Sequence, residues 1–377
     1  MPFIYAQAYN ITICYLYWLV LELLQEEKTM KNKLCHNHMY IFNRDRLVMA
    51  LSLITVLFLT NTTALAGEYQ APQPYTYDSF PEYTHIDAGV KTINTTGNEI
   101  SVRYLPSVPY VKRAEGECSL QLLLPHTRNI DGGKLKHKFP LIIYIQGSAW
   151  LKQDVYINTA NLAKFAARGY AIGIVQYRES DLATFPAQIQ DAKTAIRFMR
   201  MHGDEYNIDT KNVFVWGDSS GGHTAVLTGL TAGTHDLDTD TYGTYSCQVN
   251  GVVDVFGPTD IRRMNDFPST WEHRAANSPE GKFIGGLQVD QHEAEAAKTV
   301  AANYVSKSRK QPPVLIFHGT KDRLVTYNQS ELLYEKLKAC GQDVTMYRLK
   351  GADHGDTPFW SEKVLNIIDK FMQSHLQ

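Results

Sequence analysis

At 217–221 the chain reads Gly-Asp-Ser-Ser-Gly. The apolar run NVFVW (212–216) stands directly before it, and the helix-compatible stretch GGHTAVLTGL (221–230) follows. A serine held between glycines on a sharp strand–turn–helix corner is a nucleophile elbow. The corner lifts the Ser219 oxygen clear of the sheet and leaves the Ser220 N–H facing the same space. A helix N-terminus beneath it favours developing negative charge. A serine hydroxyl is a poor nucleophile, however. It needs a base, and the base needs an acid to orient it.

The chain order expected for such an elbow is serine, then acid, then histidine. After the apolar run PVLIF (313–317) come His318, Gly319, Thr320, Lys321 and Asp322, which place Asp322 in a loop just past a strand end. VTMYRL (344–349) leads into Lys350, Gly351, Ala352, Asp353 and His354, which put His354 on the next loop. Ser219, Asp322 and His354 are therefore the expected nucleophile, acid and base. Asp254, in GVVDVF (251–256), is the alternative acid. Asp353 adjoins the base, but a sequence neighbour rarely reaches the far ring nitrogen. His318 is expected to bond the backbone of the acid loop, and His223 and His375 lie on helices, where they make poor bases. A second oxyanion donor belongs on the loop after PLIIYI (140–145), which reads Gln146, Gly147, Ser148, Ala149, Trp150.

The elements that must position these groups are legible as patterns. PLIIYI, YAIGIV (170–175), NVFVW, GVVDVF and PVLIF lack polar alternation, as strands buried on both faces do, and predict a central parallel sheet. Helical spacing appears over 160–167, 185–202, 330–339 and 359–375. Strands and helices alternate, the pattern of an α/β doubly wound domain. Strand-like stretches at 85–93, 100–105 and 119–124 predict an antiparallel opening, with loops at 94–97 and at Pro106 and Pro109. The long polar stretch 257–305, marked by Pro258, Pro268 and Pro279, predicts a small lid insertion.

IQGSAW (145–150), Tyr177-Arg178, FPAQIQDAKTAIRFMR (185–200), GDSSGGH, SPEGKFIGG (278–286), HGTKDRLV and GADHG occur in one order. Together they resemble the α/β-hydrolase esterases of the carboxylesterase and lipase type, most of all bacterial exported esterases described as acetylxylan or feruloyl esterases. The resemblance runs over about 83–375. It implies an α/β-hydrolase fold, a Ser219–Asp322–His354 triad and an oxyanion hole built from the N–H groups of Ser148, Ala149 and Ser220, with Gly147 allowing close approach. Ser148 and Ala149 stand where that family carries glycines, and Gln146 where it carries histidine. No metal or organic cofactor is implied. Trp150, Trp271 and Trp360 are candidate walls for a sugar or an aromatic acyl group.

Composition narrows the setting. The 377 residues carry 37 Lys+Arg against 39 Asp+Glu, a formal net charge of −2, which builds no basic field for nucleic acid. The cysteines at 14, 35, 118, 247 and 340 form no CxxC and no zinc-ligand spacing. Arg44 and Arg46, the apolar run 47–60 and Ala64-Leu65-Ala66 describe a secretory signal cleaved after Ala66. The run is shorter than the roughly 20 residues that span a bilayer. A second apolar stretch over 4–24 precedes it, so the expected start is Met30 or a later Met, with residues 1–29 an over-extended frame. Residues 67–377 then form one catalytic domain of an exported, secreted or periplasmic ester hydrolase. A prolyl-oligopeptidase-like peptidase would need a propeller domain, for which 67–377 leaves no room. A non-catalytic binding protein of the same fold would show a broken triad.

Overall fold

The computed structural model describes residues 70–377 apart from 129, 132, 133 and 136. The expected leader, residues 1–66, with its cleavage after Ala66 and its start at Met30 or a later Met, lies outside the described residues. Residues 91–377 form one compact unit, and the described residues 70–90 fall outside it. The stretch 70–90 contains no helix or strand, and Tyr75, Tyr77, Phe80 and Tyr83 are exposed.

The compact unit opens with β1 (Ser101–Arg113) and β2 (Gly116–His126), followed by a separate two-stranded hairpin of β3 (Ile130–Asp131) and β4 (Lys134–Leu135). Strand–helix units follow: β5 (Phe139–Ile145), α1 (Thr159–Ala166), β6 (Ala171–Val175), α2 (Ala187–Met201), β7 (Ile208–Asp218), α3 (Ser220–Leu230) and β8 (Gly251–Val255). The insertion 257–305 carries two short helices, α4 (Pro279–Phe283) and α5 (Glu293–Ala297), and three 3₁₀ turns. Then come β9 (Val314–Gly319), α6 (Asn328–Ala339), β10 (Val344–Leu349) and α7 (Glu362–Ser374).

Eight strands form one sheet in the order β1-β2-β6-β5-β7-β8-β9-β10. β1/β2 and β2/β6 are antiparallel, and the remaining pairs are parallel. This is the expected mostly parallel α/β-hydrolase sheet with its antiparallel opening. The five inner strands were legible because side chains of both parities find a core. Leu141, Ile143 and Ile145 pack with α2 and α3 residues such as Ile196 and Val226. Ile142 and Tyr144 pack on the opposite face with Phe165 of α1 and Ile368 of α7. The chain runs from β5 to β6 on one side and then to β7 on the other. Beyond the carboxyl ends of β5 and β7 it therefore opens a crevice at a topological switch point.

Two expectations near the start are corrected. Residues 85–93 form no strand; the alternation is present, but Ile86, Val90 and Ile93 are exposed. Alternation without a pairing partner is no strand. Pro106 and Pro109 lie inside β1, not in a loop after it. β1 is an edge strand, where a residue without an N–H is tolerated. Its register with β2 shifts between Leu105 and Val108 and again between Pro109 and Val111, so each proline sits at an irregularity of the ladder.

Candidate active site

The β7–α3 corner is held by contact between backbones. Ser219 has φ 52° and ψ −130°, a conformation that side chains rarely adopt. The Ser219 N–H donates to Val255 O (2.9 Å), and the His223 N–H donates to Ser219 O (3.1 Å), so the strained residue is fixed on both sides. A Cβ on Gly217 would stand 2.1 Å from Gly221 O, and one on Gly221 would stand 2.0 Å from Ile145 O. Both elbow glycines are required by space.

Three elements bring the expected triad together. His354 Nε2 is 2.9 Å from Ser219 Oγ, and His354 Nδ1 is 2.8 Å from Asp322 Oδ2. A carboxylate only accepts, so Nδ1 carries the ring proton and Nε2 is left to accept from the Ser219 hydroxyl. Phe256 packs at a tilt against the His354 ring, centroid to centroid 4.6 Å, and limits its rotation. Asp322 Oδ1 accepts the N–H groups of Leu324 and Val325, each at 2.9 Å. Burial pushes the Asp322 carboxyl up, but the hydrogen bonds from His318 and His354 outweigh it and hold the group below the usual carboxylate range.

The rival residues take other tasks. His318 Nε2 faces Val325 O (2.8 Å) and Asp322 Oδ2 (3.3 Å), both acceptors, while Nδ1 accepts from the Ser330 hydroxyl (2.7 Å). It bonds the backbone, as expected, and also steadies the acid. Asp353 receives the Arg323 N–H (3.0 Å) and Nε (2.7 Å), tying the acid loop to the base loop; these bonds lower its carboxyl to about 2. Asp254 is fully buried and, among the described residues, accepts only the Gly257 N–H (3.0 Å), and burial pushes it up to about 7. His223 is buried with its Nε2 toward Thr299 O (2.8 Å), and burial lowers it to about 4. His375 stays at the end of α7, with Nδ1 on Phe371 O (2.7 Å).

The loop after β5 is pinned at three successive points. The Gly147 N–H donates to Asp218 Oδ1 (3.1 Å). The Ser148 N–H, expected to face the oxyanion, donates instead to Ser220 Oγ (2.9 Å), because a hydroxyl stands one residue after the nucleophile. Ser148 Oγ donates to Leu151 O (2.6 Å) and accepts from the Tyr177 hydroxyl (2.9 Å), which burial pushes up to about 12 and so keeps protonated. Trp150 is fully buried, stacks on Phe283 of the insertion at 4.3 Å and donates Nε1 to His223 Nδ1 (3.3 Å). It is a core anchor of the loop and not a substrate wall. Among the described residues, the amides of Ala149 and Ser220 have no acceptor. Of the other two tryptophans, Trp271 is exposed on the insertion, and Trp360 lines a pocket of ≈150 Å³ with Asp218 and Gly355, the neighbours of the nucleophile and base. A larger cleft of ≈550 Å³ lies along the acid loop, beside Thr270, Lys321 and Arg323, without touching Ser219.

The BD-FAE family model matches residues 132–337, more than half of the chain. The chain belongs to the BD-FAE family. Its sequence is 29% identical over 226 residues to Esterase LipC of Mycobacterium tuberculosis, a match covering 57% of this chain and 53% of LipC. The chain spans about half the length of the curated relatives it matches. Among solved structures, a truncated carbohydrate esterase from gut microbiota is 28% identical with a TM-score of 0.62, covering 74% of this chain and 98% of that one. The bifunctional GH43-CE of Bacteroides eggerthii is 30% identical with a TM-score of 0.63, covering 73% of this chain and 38% of that one.

The structure brings together Ser219, His354 and Asp322, the residues expected from the sequence, and adds Asp218, Tyr177 and Phe283, which the sequence did not single out, as supports of the loop after β5. Its place inside the serine motif was the available signal for Asp218.

Two substitutions test the loop. A Cβ on Gly147 would stand 2.6 Å from Asp218 O and 2.7 Å from Ser219 Cβ. Gly147→Ala is therefore expected to lower kcat by about 10²–10³, as loss of an oxyanion donor does, with the circular dichroism spectrum unchanged. Ala149 sits at φ 55°, where a side chain is strained. Relief of that strain exceeds the added unfolded-chain entropy, so Ala149→Gly should stabilise the fold by about 0.5 kcal/mol in urea unfolding and keep activity. A loss of stability would contradict the assignment of strain.

Proposed function

We propose that this protein is a serine carboxylic-ester hydrolase that removes acyl groups, acetyl or feruloyl, from polysaccharide or oligosaccharide. One observation carries the reading: the Ser219 hydroxyl, an imidazole oriented by a buried carboxylate, and two uncommitted backbone amides are grouped at one sheet switch point.

In this mechanism Ser219 Oγ attacks the ester carbonyl while His354 Nε2 takes the hydroxyl proton. The carbonyl oxygen becomes an oxyanion, stabilised by the Ala149 and Ser220 N–H groups. His354 then gives the proton to the departing alcohol oxygen as the C–O bond breaks, leaving the acyl group on Ser219. A water molecule repeats the sequence on the acyl-enzyme: His354 takes its proton, and the carboxylic acid leaves as that proton returns to Ser219 Oγ. Asp322 keeps the imidazole in the productive tautomer and offsets its transient positive charge.

The polysaccharide end of the reading draws support from the carbohydrate esterase and the bifunctional GH43-CE that the chain is similar to. The proposed export signal points the same way, since an exported esterase meets polymers and their fragments.

The enzyme is expected to release p-nitrophenol from p-nitrophenyl acetate, and Ser219→Ala should lose activity by a factor on the order of 10⁴ or more. Equal rates in the two proteins would end the serine-esterase reading. Acetate or ferulate released from acetylated xylan and feruloylated oligosaccharide then identifies the acyl group. For export, N-terminal sequencing of the extracytoplasmic protein should begin at Gly67; a peptide from residues 1–29 in that protein would refute the assigned start and cleavage.

A further inference from the structure

Under the oxyanion loop lies a closed ring of polar side chains that the ester chemistry leaves without a task. The Tyr144 hydroxyl, on a side chain with no exposure, donates to Asp218 Oδ1 (2.6 Å) and accepts from Asn158 Nδ2 (3.0 Å). Asn158 Nδ2 also donates to Gln146 Oε1 (2.9 Å). Gln146 Nε2 closes the ring with longer contacts to Asp218 Oδ2 (3.4 Å) and Gly147 O (3.3 Å). Gln153 Nε2 adds a bond to Gln146 O (3.0 Å) from outside the ring. The ring thus links three elements: the end of β5, the turn before α1 and the end of β7.

Stability does not call for this arrangement. β5 and β7 already pair from Leu141–Val213 to Ile145–Gly217, and Tyr144 and Trp216 are packed among aromatic side chains on that face. Burying a carboxylate there is costly, and apolar side chains of similar volume would hold two strand ends as well. What apolar side chains could not do is bond the Gly147 N–H, the first amide of the oxyanion loop, as Asp218 does. The Ala149 amide stands two residues further on. A displacement of about 1 Å in a reacting geometry costs on the order of 10² in rate, so an anchor at Gly147 has a direct catalytic consequence.

We propose that Tyr144, Asn158 and Gln146 are positioning residues which, acting through Asp218, fix the oxyanion loop so that the Ala149 amide meets the transition-state oxygen. This rests on the serine-esterase reading above. None of the three touches the reacting atoms. Their action is through the loop, and it acts on the transition state rather than on substrate binding.

The test compares wild type, Tyr144→Phe, Asn158→Ala and Ser219→Ala on p-nitrophenyl acetate. It uses steady-state kinetics, the pre-steady-state burst and inhibition by a trifluoromethyl ketone, which forms a tetrahedral oxyanion adduct. Tyr144→Phe and Asn158→Ala should lower kcat about tenfold or more with KM within about twofold, and keep the wild-type burst amplitude per chain. Affinity for the ketone should fall by a similar factor. Wild-type kcat in both variants, or a loss matched by a fall in burst amplitude in both, would overturn the proposal. If Tyr144→Phe alone loses its burst through misfolding, Asn158→Ala, altered at a half-buried turn, decides. Wild-type turnover by Ser219→Ala would remove the esterase reading itself, an outcome separate from all of these.

Discussion

The strained backbone of Ser219 can exist only because nothing but hydrogen fills the space around it. The residue stands at φ 52° where β7 meets α3, and the neighbouring chain closes in until a Cβ on Gly217, Gly221 or Gly147 would lie 2.0–2.7 Å from other atoms. Such strain persists when the surroundings over-determine it. Here the surroundings are the β5–β7–β8 ladder, which contributes Val255 O as acceptor for the Ser219 N–H and brings Ile145 against Gly221. The buried parallel sheet is therefore what holds Ser219 in place, and the neighbouring side chains are arranged around its raised oxygen.

Four aspartates near the site show how surroundings divide one chemical group among several roles. Asp322 is buried but receives two backbone N–H groups and two imidazoles, and it stays a carboxylate. Asp353 is paired with Arg323 and joins two loops. Asp218 is raised by burial, yet it gathers Tyr144 and the Gly147 amide. Asp254 has one backbone donor, its Oδ2 has no partner, and the group is pushed towards neutrality. Its place is opened by glycines, since a Cβ on Gly222 or Gly257 would lie 2.4 Å from its Oδ1. Asp322 is set apart from Asp254 by its donors more than by its depth.

The insertion 257–305 is bonded into the domain at the points where catalysis would be most sensitive to movement. Thr299 O meets His223 of the elbow helix, Phe283 stacks on Trp150 of the oxyanion loop, and the Thr270 N–H donates to Arg323 O beside the acid (2.8 Å). These contacts give it the character of a fixed wall, held through both the helix that follows Ser219 and the loop that carries Asp322.

The sequence by itself determined the inner strands and the strand–turn–helix corner that carries Ser219. Each is a local pattern: a strand buried on both faces loses its polar alternation, and an elbow needs glycines at set positions. It misread β1, because prolines mark a loop in most settings and only an edge strand with register shifts accommodates them. It misread 85–93, because alternation says nothing about whether a partner strand exists. Only the tertiary structure decided which amides remain free at the oxyanion loop, since the Ser148 N–H is taken by a hydroxyl 72 residues later in the chain. It alone decided that Trp150 packs inward, and that the Tyr144 hydroxyl donates to Asp218, 74 residues away, beneath the site. Hydrogen-bond partners across a sheet leave no spacing signal in the chain, so the corner at Ser219 was legible and the bonds that brace it were not.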